Sequence, residues 1–168
     1  MRKALHLTDS DSVAPETPRD AQDVAYVANQ ILGFDPTLKQ VVGQLHKHTI
    51  ILPVAAMANL ADAQVLKVAV PFPFILNSVA YRVGDKAVTT AAKASTATAQ
   101  VNGVSVTGGV VALTSANCTP SGAAVAGTAI TAGNTGTADQ TVGVVMSATT
   151  AFAEGNGWFE FNVTRKTA

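Results

Sequence analysis

Charge is scarce in this chain, and so are the groups on which most chemistry depends. Asp, Glu, Lys and Arg make up 13% of its 168 residues, aromatic residues make up 5%, and there is one cysteine. The formal net charge is +0, so mutual repulsion does not hold copies apart and association is expected. The 11 basic residues are scattered, whereas phosphate neutralisation needs clustered Lys and Arg, so no nucleic-acid partner is expected. The lone Cys118 excludes an intrachain disulfide. With no His or acid beside it to lower its pKa, it reads as a small buried hydrophobe. No apolar run reaches the ~18 residues of a membrane span, and MRKALHLTDSDS has no stretch of signal-peptide character. The expectation is a chain that folds in the cytoplasm, without a membrane partner.

What charge there is lies unevenly. Residues 1–47 hold 11 of the 22 charged residues and the remaining 121 residues hold the other 11, which places a boundary near His46–His48. The first part opens with a polar stretch, Thr8–Pro18, too poor in apolar residues to fold alone and expected to be extended. A helix is then expected: Thr17 caps, Pro18 fits the first helical position, Asp20 and Asp23 suit the positive end of the dipole, and Gly33 terminates. Val24, Val27, Ile31 and Leu32 give it an apolar face. A second short helix is expected after Asp35-Pro36, with Leu38, Val41, Val42 and Leu45 on one side and Gly43 weakening it by about 1 kcal/mol. Two short helices and an extended leader form an arm, residues 1–47, rather than a domain.

From His48 onward the period of the pattern changes to two. HTIILPV, QVLKVAV, FILNSVAYRV, TATAQV, VSVTGGVVALT, AAVAGTAIT, QTVGVVMSA and WFEFNVT are the expected strands. Asn102-Gly103 is the strongest hairpin signal, because both central residues of a type I′ turn need positive φ. Gly108-Gly109, Pro120-Ser121-Gly122, Gly133-Asn134-Thr135-Gly136 and Gly155-Asn156-Gly157 are read as further turns. About eight short strands imply an all-β fold, an antiparallel β-sandwich of jelly-roll or immunoglobulin-like size spanning residues 48–168. Its large core residues are expected to include Ile51, Val65, Val68, Phe74, Tyr81, Ile130, Phe159 and Phe161. Alternation in WFEFNVT turns Phe159, Phe161 and Val163 inward and leaves Trp158 at an edge or subunit interface.

The β-region is thin in reactive groups. Its acids, Asp62, Asp85, Asp139, Glu154 and Glu160, stand apart, mostly at turns where Asp normally bonds backbone. His46 and His48 flank Lys47 and would put two imidazoles on one strand face, but the ligand set for a metal is incomplete and a solvated hinge is the plainer reading. GTAITAGNTGTAD lacks the Lys-Ser/Thr and helix of a phosphate-binding loop, and Asp139 with Asn134 and Thr137 offers Ca²⁺ one carboxylate. Arg82 and Lys86 beside Asp85 read as a solvated hairpin end. No catalytic residue, cofactor or metal site is expected.

Four segments carry a resemblance: VTTAAKASTAT, NGVSVTGGVVALTSAN, VAGTAITAGNTGTADQTV and TAFAEGNGWFEFNV, within residues 88–163. In their order the chain resembles tailed-bacteriophage head decoration or head fibre proteins. The resemblance implies a non-enzymatic virion protein, a homotrimer on the outer capsid surface with the major capsid protein as partner, assembled in the host cytoplasm. The arm would bind the capsid through Val24, Val27, Ile31, Leu32, Leu38, Val42 and Leu45. Two rival readings differ in class. A carbohydrate-binding or host-attachment module would group Trp158 with Tyr81 or Tyr26 on an open face, and an enzyme would assemble its acids with His46 or His48 between subunits.

Overall fold

The computed structural model describes residues 47–166. Nine strands run through them: β1 (Lys47–Val54), β2 (Val65–Ala69), β3 (Phe74–Val83), β4 (Ala94–Val101), β5 (Val104–Thr114), β6 (Ala124–Ala126), β7 (Thr135–Gly136), β8 (Thr141–Thr150) and β9 (Gly157–Arg165). One turn of 3₁₀ helix, Met57–Asn59, lies between β1 and β2. One sheet has the order β1-β9-β3-β6, with β7 also pairing β3, and the other has the order β2-β8-β4-β5. All pairings are antiparallel. The chain passes from one sheet to the other at most connections, so neighbours in sequence seldom pair. Only β4-β5 are sequence neighbours that pair; β6 and β7 stay in the first sheet but each pairs with β3.

The expected alternation decides the inner face of the first sheet. Leu52, Phe159, Tyr81 and Val125 form one cross-strand row, and Ile50, Phe161 and Val79 the next. Tyr81, Phe74, Phe159 and Phe161 are all fully buried, with the Tyr81 and Phe159 rings edge to face at 5.1 Å. Each such side chain stabilises the fold by roughly 1.5–3 kcal/mol through burial. Opposite them, the second sheet offers smaller groups: Ala97, Ala99, Val142, Val144, Val111 and Leu113.

Several expectations change. Ile51 and Val65 belong outside, with 57% and 46% of their surfaces exposed. In the run Ile50-Ile51-Leu52 one side chain must face out, and the pairing of Ile50 and Leu52 with Phe161 and Phe159 selects Ile51. Val68, Ile130 and Trp158 are half-buried, while Met57, Val88, Val106 and Met146 join the core. Asn102-Gly103 does make the expected hairpin, with φ of 50° and 81°. Gly108-Gly109 does not turn the chain. Both have positive φ inside β5, where the register against β4 slips between Thr98↔Val110 and Gln100↔Ser105, producing a bulge.

AAVAGTAIT is a strand only over Ala124–Ala126. Beyond it, Gly127 N–H donates to the Val79 carbonyl in the first sheet, and Thr128 N–H donates to the Val110 carbonyl in the second. The segment then runs along β5, where Gly109 N–H donates to the Thr128 carbonyl and Thr107 pairs with Ala132. This covers the outer edge of β5. On the opposite side, β1 and β2 are edge strands among the described residues. β1 carries Pro53, which has no N–H to offer, and β2 is five residues long with exposed Lys67 at its centre.

Phe161→Ala should cost about 3–5 kcal/mol in urea denaturation of the full chain, the loss expected for a fully buried aromatic. Val104→Ala, at a residue 69% exposed, should stay within about 0.5 kcal/mol of the parent. Comparable losses for the two would contradict this assignment of inner and outer positions.

Candidate functional site

Of the residues singled out for partner binding, Val24, Val27, Ile31, Leu32, Leu38, Val42 and Leu45 lie outside the described residues, as do both expected arm helices, Tyr26 and His46. Trp158 lies within them. It sits on the outer face of the first sheet, between Pro53 of β1 and Arg82 of β3. Its indole N–H donates to Glu160 Oε1 at 3.0 Å, and Arg82 Nε donates to Glu160 Oε2 at 3.0 Å. Burial alone would raise the Glu160 pKa, but the hydrogen bonds from Arg82 and Trp158, with the guanidinium charge, hold it below the usual carboxylate range. Arg82 therefore belongs to this cluster, not to a hairpin end with Lys86 and Asp85. Exposed Ile51 and Pro53 flank it, giving a patch in which apolar surface surrounds a neutralised ion pair.

Three of the other acids are occupied by the fold. Asp62 Oδ1 accepts the Thr149 N–H at 2.7 Å, and Asp85 Oδ1 accepts the Asn156 side-chain amide at 2.7 Å. Glu154 accepts the Thr89 and Thr90 N–H groups at 2.6 and 2.5 Å and both hydroxyls at 3.0 and 2.9 Å. Those bonds, the two backbone donors first, bring its pKa down to about 2. Asp139 takes a left-handed φ of 65°, and the Asn134 amide is spent on the Leu76 carbonyl. Among the described residues, no group of three or more His, Cys, Asp or Glu side chains converges. His48 packs its ring on Phe72, centroids 4.8 Å apart, as part of β1, so the strand begins at Lys47.

Cys118 is fully buried, its thiol bonding to Asn117 Oδ1 at 3.3 Å, and burial pushes its pKa up. Tyr81 is fully buried too, its pKa raised by burial and then by the neighbouring Cys118. Tyr81 thus points into the core while Trp158 points out, and the two do not form an aromatic pair on an open face.

Sequence reasoning missed the interlocking of loops at one end of the sandwich. Besides the Glu154 clamp, Gly84 N–H donates to the Asn156 carbonyl, Lys86 N–H to Asn156 Oδ1, and Val88 N–H to the Cys118 carbonyl. Thr119 and Ser121 add hydroxyl bonds to the Val88 and Asp85 carbonyls. A shallow depression of about 580 Å³ opens there, walled by Thr89, Ala91, Lys93, Ser115 and Thr119. Its surface offers hydroxyls, methyl groups and one ammonium. Glu154 is 64 and 65 residues from its partners, so no local pattern announces it.

Comparison with protein-family models, with characterised proteins and with solved structures returns no match. The reading of function therefore rests on the fold and the surface of this chain.

The Glu154 clamp has a pH signature. Its pKa falls on folding from an ordinary 4.5 to about 2, so its contribution is complete above pH 4.5 and is lost as pH drops towards 2. Glu154→Gln should flatten that part of the stability profile and change little of its shape above pH 6. Chemical denaturation across pH 2–7 tests this, and identical acid limbs in both proteins would refute the assignment.

Proposed function

We propose that this chain is a structural virion protein that decorates and stabilises the outer capsid surface of a tailed bacteriophage, with the major capsid protein and further copies of itself as partners. The observation that carries the reading is a sandwich in which Asp62, Asp85, Glu154 and Glu160 are spent on its own loops and cross-strand pairs, beside an outward patch of Trp158, Ile51 and Pro53. The strand orders β1-β9-β3-β6 and β2-β8-β4-β5 support a finer proposal, that the sandwich is a jelly roll. That architecture recurs in viral capsid domains, and it accords with the resemblance carried by residues 88–163.

In this reading residues 1–47 anchor the protein through Val24, Val27, Ile31, Leu32, Leu38, Val42 and Leu45, and residues 48–168 form the outer body. The Trp158 patch packs against other copies in a homotrimer. Three linked anchors raise apparent affinity by about 10²- to 10⁴-fold over one, without stronger individual contacts. The reading invokes no catalytic residue, cofactor or metal. Its site of action is the virion surface after assembly in the host cytoplasm.

Capsids stripped of this protein provide the test. The full chain should restore saturating occupancy, and a chain of residues 48–168 that keeps the β-sheet signal and cooperative unfolding of the sandwich should not. Equal occupancy by both would remove the anchoring role of the arm, and no binding by the full chain would end the decoration reading. Trp158→Glu should convert trimers to monomers in sedimentation velocity, whereas an unchanged trimer would move the subunit contact elsewhere.

A further inference from the structure

At the end of β9 away from Trp158, the outer face of the first sheet changes character. Four residues along the strand, about 13 Å, bring the face from Trp158 to Asn162. There the register between β9 and β3 slips, from Asn162↔Ser78 to Val163↔Leu76, leaving Asn77 as an extra residue in β3. The bulge turns two consecutive side chains, Asn77 and Ser78, outward in a strand that otherwise alternates. A cleft of about 450 Å³ results, lined by Lys47, Thr49, Asn77, Ser78, Asn162 and Thr164.

Those six groups are two amides, three hydroxyls and an ammonium. Five of them already bond to one another, as a linked trio and a separate pair: Thr49 Oγ1 donates to Asn162 Oδ1 at 2.9 Å and Asn162 Nδ2 to Ser78 Oγ at 3.1 Å, while Asn77 Nδ2 donates to Thr164 Oγ1 at 2.8 Å. These bonds fix which valences face outward. Ser78 and Thr164 each accept a bond and keep a hydroxyl proton to donate, and Asn77 Oδ1 accepts none among the described residues. Alternating donors and acceptors held in place by one another suit a ligand bearing several hydroxyl groups. Among the described residues no carboxylate lines the cleft, while Lys47 does, and Arg165 lies beyond it with its guanidinium 5.5 Å from the Phe72 ring centre. Glu160, two residues from Asn162 on the same face, is neutralised by Arg82. The local field therefore favours a negatively charged ligand.

From the bulge, the hydrogen-bonded side chains on either side of it and the Lys47 ammonium together, we infer that this cleft binds an acidic saccharide, a sugar bearing a carboxylate. The hydroxyls of the sugar meet Ser78, Thr164 and Asn77, and its carboxylate meets Lys47. The inference does not depend on the capsid-decoration reading. In a protein displayed on a particle it would supply a contact with cell-surface or secreted polysaccharide.

The test is a titration of the isotope-labelled full chain, read at the side-chain amide signals of Asn77 and Asn162. The probes are trigalacturonate, trimeric sialic acid, neutral galactotriose and sodium acetate. At least one acidic trimer should shift both signals to saturation, with galactotriose about tenfold weaker and acetate inactive at equal concentration. Lys47→Ala and Asn77→Ala should each weaken that binding about tenfold, the effect of one lost hydrogen-bonded contact, and Val104→Ala should not. Thr164→Val serves as a second variant should either alanine substitution disturb the remaining spectrum. Saturation by neither acidic trimer, an equal response to acetate, or equal affinity for the neutral sugar would each overturn the inference. Capsid occupancy of Asn77→Ala should equal that of the parent, which separates failure of this site from failure of the decoration reading.

Discussion

Four fully buried aromatic side chains, Phe74, Tyr81, Phe159 and Phe161, project from two adjacent strands of one sheet, and the other sheet has to fit around them. It does so by being small. β4 turns Ser95, Ala97 and Ala99 inward, and β8 turns in Val142, Val144 and Met146. A close-packed interior tolerates little change in volume, so bulk on one layer requires its lack on the other. The Ala- and Thr-rich middle of the sequence follows from this constraint. Even the buried Ser95 hydroxyl is satisfied, by Thr149 Oγ1 at 2.8 Å. Enlarging Ala97 would press the sheets apart and disturb the rows that present Trp158 and Asn162 on the far side of β9.

The same economy governs the polar groups. Glu154, Asn156, Asp85 and Asp62 hold three loops and a strand end in fixed positions, so the end of the sandwich that would be most mobile is cross-braced. A carboxylate receiving two backbone N–H groups and two hydroxyls is fully employed.

The sheet pattern was largely legible from the residues, because period-two alternation and Asn102-Gly103 are local signals that the pleat and the I′ turn demand. Phe159, Phe161 and Val163 were placed inside for that reason. What failed depended on partners distant in sequence. Adjacent Ile50 and Ile51 are equal core candidates by sequence until β9 chooses between them. Gly108-Gly109 looked like a turn because positive φ serves a bulge as well as a reversal. The outer-face cleft was not legible at all, since the extra residue at Asn77 exists only as a mismatch between β3 and β9. The arm residues lie outside the described structure, and their reading remains one of sequence alone.

The edges of the sandwich bear on a problem that its composition creates. A Val-, Ala- and Thr-rich chain with little charge has the makeup of strands that join neighbours without limit. Here the long β5 is roofed by residues 128–132, β1 carries a proline without a donor, and β2 is short with a lysine at its middle. Each device denies an incoming strand its ladder. Colloidal behaviour is thereby governed by backbone geometry more than by repulsion, and it should depend only weakly on salt. Crowded copies are steered away from edge-on fibre growth and towards contact through their faces.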